Sequence, residues 1–193
     1  MAALTPERLA ALDPKTRLLE MGCGPKRIWP HSTAIDVNPR SKADVVHDLN
    51  QMPWPFAENT FDIVVAEHVL EHLRDIIAVV EEVHRILKPG GLWLVEVPHF
   101  SSHHFHTDPT HTHAFGARSF DYFEPAPGGL YMFHYAKADF KKRSVVLRGA
   151  RSSFFHRWLY RKANKNPFRY ESELTWMFPL QTVNFELEAL KAP

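Results

Sequence analysis

The sequence predicts a doubly wound α/β fold on a largely parallel sheet, and three observations carry that prediction. Five short β-rich runs recur along the first half, at residues 17–21, 32–37, 43–47, 61–66 and 92–97. The first four close at or near a carboxylate: Glu20, Asp36, Asp48 and Glu67. Between the fourth and fifth runs, residues 75–87 place apolar side chains at 76, 77, 79, 80, 83, 86 and 87, a helical stripe with Glu81, Glu82 and Arg85 opposite. Strands that alternate with helices or short crossovers make a parallel sheet covered on both faces, with right-handed connections. The carboxyl edge of such a sheet is where a ligand sits, and four acids fall on that edge.

In chain order, residues 1–12 read as a short helix, with Thr5 as N-cap, Pro6 in the first turn and Leu9 and Leu12 behind. Arg17-Leu18-Leu19-Glu20-Met21 is a buried strand that runs into the tight turn Gly22-Cys23-Gly24-Pro25. The runs STAIDV, ADVVH and FDIVVA follow as strands. Lys88-Pro89-Gly90-Gly91 stops the helix of residues 75–87, and LWLVEV resumes as the fifth strand. Beyond Pro98 the text turns polar, aromatic and histidine-rich. Residues 143–148 then form a basic strand, residues 154–162 a helix whose Phe154, Phe155 and Trp158 fit one face packing on the sheet, and residues 184–190 a last alternating strand.

Composition bounds the function. The 193 residues are 45% hydrophobic and 23% charged, which excludes a disordered, collagen-like or coiled-coil chain and gives one domain over 1–193. No apolar run reaches the ~18 residues of a membrane span, and a lone cysteine, Cys23, fits a reducing, cytoplasmic location and excludes a cysteine-rich zinc module. The net charge of +1 hides asymmetry: residues 137–169 hold 11 Lys/Arg against the single Asp139. That stretch is a solvated strand and helix face, or a surface for an anionic partner.

The glycine loop needs its context. A dinucleotide fingerprint would place a third glycine where Arg27 stands, and Glu20 beside the loop repels a pyrophosphate. Gly24-Pro25-Lys26-Arg27 lacks the Lys-Ser/Thr pair of a phosphate-binding P-loop. About a dozen residues to the next strand leave the first helix stunted. An acid-bordered loop suits a ligand that is cationic near the glycines and carries a ribose and a base further along, the form of S-adenosylmethionine. Asp36 would accept from both ribose hydroxyls and Asp48 from the adenine amino group, with Leu49 and Met52 as apolar surface.

At this point LLEMGCGPKR, AIDVNPR, VVHDLNQMPWPFAENTFDIVVAEHVLEHL and RILKPGGLWLVEVP together resemble the class I S-adenosylmethionine-dependent methyltransferases of the small type-11-like group, over roughly residues 17–98. The resemblance implies a Rossmann-like seven-stranded sheet ordered 3-2-1-4-5-7-6 with the last strand antiparallel. It also implies S-adenosylmethionine as cofactor, held by Glu20, Gly22, Cys23, Gly24, Asp36, Val37, Asp48 and Leu49, with Glu67 and His68 at the pocket floor. Lys26 departs from the family pattern, standing where many members have glycine, and Trp29 is a candidate lid residue or packs at the sheet edge. The domain then divides into a cofactor-binding half, 1–98, and a half for the acceptor and the C-terminal strands, 99–193.

A hydroxyl acceptor needs a base, and His68 and His99, after the fourth and fifth strands, are the catalytic candidates, with His72 one helical turn beyond His68. Six of the 13 histidines lie between His99 and His113. That segment, which resembles a recurring subgroup pattern from Pro98-His99-Phe100-Ser101-Ser102 through Asp108-Pro109-Thr110-His111, is expected to line the acceptor site. Its imidazoles bind substrate or hydrogen-bond partners, or else His104, His106, Asp108 and His111 hold a divalent metal; the reading adopted assigns no metal. Ala66-Glu67-His68-Val69 stands where enzymes that methylate base amino groups carry an Asn-Pro-Pro-Tyr-like run, so nucleic acid is not the favoured acceptor. The expected partner is a small molecule or glycan-related hydroxyl, with a negative group near the basic residues. A binding module on the same fold, for RNA or protein, or an RNA methyltransferase, is the alternative.

Overall fold

The computed structural model describes residues 12–27, 29, 31–126, 129–149 and 153–191; the helix expected at the N-terminus lies outside them. β1 (Leu18–Met21), β2 (Thr33–Asp36), β3 (Val45–Val46), β4 (Phe61–Glu67) and β5 (Leu87–Pro98) form the parallel part of the sheet, and β6 (Asp139–Arg148) and β7 (Thr182–Leu190) complete it. The order is β3-β2-β1-β4-β5-β7-β6, with β7 antiparallel to both of its neighbours. This is the Rossmann-like order that the sequence led us to expect, and the basic strand β6 is an edge of the sheet.

Alternation along each strand sorts side chains onto two faces of unequal size. Leu19, Met21, Val64, Ala66, Trp93, Val95 and Val97 enter the large core, whereas Leu18, Ile63, Val65 and Leu94 form a smaller cluster with Trp29. The large core is capped by α1 (Ile76–Ile86), which starts where the Asp75 side chain accepts the Ala78 N–H and buries Val79, Val80, Val83 and Ile86. No helix occurs among the described residues between β1 and β2, and Trp29 covers that face instead. Trp29 is therefore a packing residue, 6% exposed.

One boundary and one packing face differ from expectation. α1 does stop before Lys88, but β5 begins at Leu87: Phe61 pairs with Leu87 and Ile63 with Leu92, so the Lys88–Gly91 stretch loops out of the ladder without ending it. The second concerns α3 (Phe154–Lys165), which follows α2 (His103–Thr107) in the chain and precedes α4 (Pro167–Glu173). It packs through Leu159 and Ala163, while Phe154, Phe155 and Trp158 face solvent. Among the described residues no helix is long and apolar enough to cross a membrane.

Candidate functional site

β1, β2 and β4 end side by side, and the chain after each turns toward one crevice. Leaving β1, Gly22 adopts φ +61° and donates its N–H to the Ile35 carbonyl of β2 at 2.8 Å. A Cβ at this position would lie 2.5 Å from Cγ2 of Val69, so only glycine lets Val69 close over the loop. The Asp36 carboxylate, 8% exposed, accepts the Gly24 N–H on Oδ2 at 2.7 Å and the Asn38 N–H on Oδ1 at 2.8 Å. Each oxygen keeps a lone pair for a ligand hydroxyl. After β3, Asp48 accepts the Asn50 N–H and side-chain amide on Oδ1 alone, bonds that hold its carboxyl below the usual range.

A cavity of about 350 Å³ joins these groups. Gly22, Asp36, Val37, Asp48, Leu49 and His68 line it as the sequence anticipated, joined by Asn50, Val69, His72 and Leu73. Among the described residues, no lysine or arginine lines it. Asp36 and Asp48 thus share one pocket with an apolar wall.

The remaining expected residues sit elsewhere. Glu20 is buried and turned into the β1–β2 connection, where its Oε2 accepts from Trp29 N–H at 3.3 Å and Ser32 Oγ at 3.2 Å. Cys23 and Gly24 flank the cavity without lining it; burial, and then the neighbouring Asp36 and Glu20 charges, push the Cys23 thiol up. Glu67 is half-buried outside the lining, its carboxyl raised by burial and by Glu96.

The two candidate bases are placed differently. His99 does not reach the crevice: its ring is fully buried, with Nδ1 2.7 Å from Ser101 Oγ and Nε2 3.1 Å from Glu171 Oε1. It fastens the end of β5 to α4. His68 does line the cavity, at φ +54°, with Nδ1 3.3 Å from Glu71 and Nε2 3.7 Å from Glu96. Those carboxylates push its pKa up to about 10, against the opposing effect of burial. An imidazolium at neutral pH has no lone pair to offer a proton. Of the four suggested metal ligands, His104 and His106 are exposed on α2, and only Asp108 and His111 approach each other, at 3.9 Å.

The model of the methyltransferase domain family matches residues 1–190. The chain belongs to that family. The pocket fits the S-adenosylmethionine that the sequence led us to expect: two carboxylates on adjacent strand tips suit a nucleoside, and a lining without lysine or arginine among the described residues suits a donor without phosphate. In sequence, this methyltransferase is 33% identical over 103 residues to an uncharacterised methyltransferase of Schizosaccharomyces pombe, spanning 39% of this chain and 37% of that one. Its matches to such relatives cover less than half of their length. A methyltransferase of Archaeoglobus fulgidus shares the fold at a TM-score of 0.61 and 17% identity, covering 94% of this chain and 90% of that one. The N-methyltransferase NodS of Bradyrhizobium japonicum, solved with S-adenosylhomocysteine, does so at 0.53 and 16%, covering 91% and 79%.

Sequence reasoning missed Asn50, Val69 and Leu73. Asn50 carried a local signal, standing two residues after Asp48, and it also anchors the Arg74 N–H at 2.8 Å. Val69 and Leu73 showed none beyond following the fourth strand.

Proposed function

We propose that this methyltransferase methylates a hydroxyl oxygen on a small molecule or glycan-related acceptor that carries a negative group. The observation that supports it most is the shared cavity of Asp36 and Asp48 beside Gly22. Asp36, Val37, Asp48 and Leu49 hold the nucleoside of the donor, and the Gly22–Gly24 loop stands next to its amino-acid end. When bound, S-adenosylmethionine supplies an electrophilic methyl group. What this chain adds is position: a reaction between two held partners gains several kcal/mol, up to roughly 7–11, from orientation alone. Residues 1–98 serve the donor and 99–193 the acceptor and the last strands. The exposed cations Lys141 and Arg148 of the β6 edge support an anionic acceptor.

Calorimetry with S-adenosylmethionine and S-adenosylhomocysteine tests the donor site, and Asp36→Ala abolishes binding. Tritiated methyl transfer to fractionated extract tests the acceptor: label on a small-molecule hydroxyl is expected, and label on carbon or nitrogen overturns that part.

One observation favours a second reading. Phe154, Phe155 and Trp158 are exposed on α3 beside Arg157, Arg161 and Lys162, a mixture that stacks on and neutralises single-stranded RNA. Salt-sensitive RNA binding without methyl transfer to small molecules would replace the first reading with this one.

A further inference from the structure

We propose that Glu71, His72 and His111 bind one divalent transition-metal ion at the rim of the donor crevice. One ligand atom from each of the three lies within 4.8 Å of the others. Glu71 is completely buried, and neither of its carboxylate oxygens receives a hydrogen bond. Its nearest cationic neighbour, His68 Nδ1, stands 3.3 Å from Oε1. Oε1 thus faces the His68 imidazolium, and Oε2, buried without a donor, is the oxygen that a further cation would satisfy.

Both histidines are set up as ligands by what their other nitrogen touches. Nδ1 of His111 lies 3.1 Å from the Phe105 carbonyl, which only accepts, so Nδ1 carries the proton and Nε2 keeps its lone pair. Thr110 Oγ1 donates its one hydrogen to Asp108 at 2.6 Å, so at 2.8 Å from His72 Nδ1 it is the acceptor, and the His72 Nε2 lone pair is also free. Metal-bound imidazoles use this arrangement, with the far N–H tied to a carbonyl or another acceptor. One backbone and one side-chain hydrogen bond fix the two segments together: Thr112 donates its N–H to the Glu71 carbonyl at 2.8 Å, and His113 Nε2 lies 3.2 Å from the Arg74 carbonyl. Asp108, whose Oδ2 lies 3.9 Å from His111 Nε2, is nearby as a fourth ligand.

Two imidazoles and a carboxylate, without thiolate, suit Zn²⁺, Mn²⁺ or Fe²⁺ and leave coordination positions open. His72 is exposed and lines the crevice, so the open side faces the donor pocket. If the methyltransferase reading holds, on which this last point rests, an acceptor hydroxyl at that ion becomes more acidic.

Protein purified without a histidine tag and stripped with chelator is titrated with Zn²⁺ against a chromogenic chelator, and with Co²⁺ by visible absorption. One equivalent is expected. Glu71→Gln and His111→Ala each weaken binding at least tenfold, while His104→Ala leaves it unchanged, and all three bind S-adenosylhomocysteine as the parent does. Circular dichroism confirms their folding; if a variant unfolds, the stoichiometry and Co²⁺ spectrum of the parent protein decide. No saturable binding by the parent, or equal binding by Glu71→Gln and His111→Ala, overturns the proposal. Metal binding without donor binding would overturn the methyltransferase reading and leave the metal site standing.

Discussion

Asp36 at the tip of β2 accepts the Gly24 N–H of the loop leaving β1 at 2.7 Å, so one carboxylate both shapes the glycine loop and lines the cavity it shares with Asp48. Asp36→Ala removes a charged acceptor from two backbone donors, at a cost of about 1.5–3 kcal/mol for each charged hydrogen bond lost. Calorimetry should show S-adenosylhomocysteine binding lost. Asp36→Asn, which keeps one acceptor oxygen, should retain weak binding, and an Asn variant as poor as Ala would show that the charge itself matters.

Gly22 and Val69 are matched in the same way. Gly22→Ala places a methyl 2.5 Å from Val69 Cγ2 at a φ of +61°, and the left-handed backbone alone costs about 1–2 kcal/mol. The thermal midpoint should fall by several degrees, and Gly22→Ala with Val69→Ala should recover part of the loss. No recovery in the double variant would place the strain in the backbone alone.

The sheet, and the convergence of Gly22, Asp36, Asp48 and His68 on one cavity, could be read from the sequence because their signals are local. Asp36 and Asp48 each follow a β-rich run, and a parallel sheet brings such ends to one edge. What escaped was set by distant partners. His99 looked available, but Glu171, 72 positions later, closes on its Nε2. Glu71 and His111 are 40 positions apart in separate elements, and no spacing rule links them. On α3 the aromatic stripe suggested the buried face, yet Asn164 binds both the N–H and the carbonyl of Leu147 at 2.8 Å, and that close approach selects small Ala163 and Leu159 for the interface.

Glu82 holds the segment after Asp48 against α1. Its Oε1 accepts the Trp54 N–H at 2.6 Å and pairs with Arg85 at 2.6 Å, and Arg85 also donates to the Phe56 carbonyl at 2.8 Å. Glu82 is 6% exposed. Glu82→Ala leaves Arg85 unpaired and should cost about 3–5 kcal/mol in urea unfolding, the range for breaking a buried pair. A loss below 1 kcal/mol, roughly what exposed pairs contribute, would show that water reaches the pair freely.

His84 makes stability depend on pH. Burial lowers its pKa, outweighing the bond between Nε2 and the Leu190 carbonyl at 3.1 Å. The unfolded chain therefore takes up a proton near pH 6.5 while the folded chain resists. The contribution is complete above the unfolded value and is lost as pH falls through the lower, folded one. Urea midpoints compared at pH 7.5 and 5.5 should fall less for His84→Gln than for the parent, and equal slopes would assign the acid sensitivity to another group.

Cys23 reports on the loop without changing it. It is 7% exposed, its Sγ lies 3.7 Å from the Gly24 carbonyl, and burial with the nearby Asp36 and Glu20 charges raises its pKa. Only the thiolate reacts with disulfide reagents, so labelling near pH 8 should be slower than for a free thiol and should require the Gly22–Gly24 loop to open. S-adenosylhomocysteine, bound against that loop, should slow it further, by a factor that saturates at one equivalent of ligand. Asp36→Ala, which frees the Gly24 N–H, should label faster than the parent and show no protection. Protection that persists in Asp36→Ala would mean that the ligand sits elsewhere, and equal labelling with and without ligand would separate the loop from the donor site.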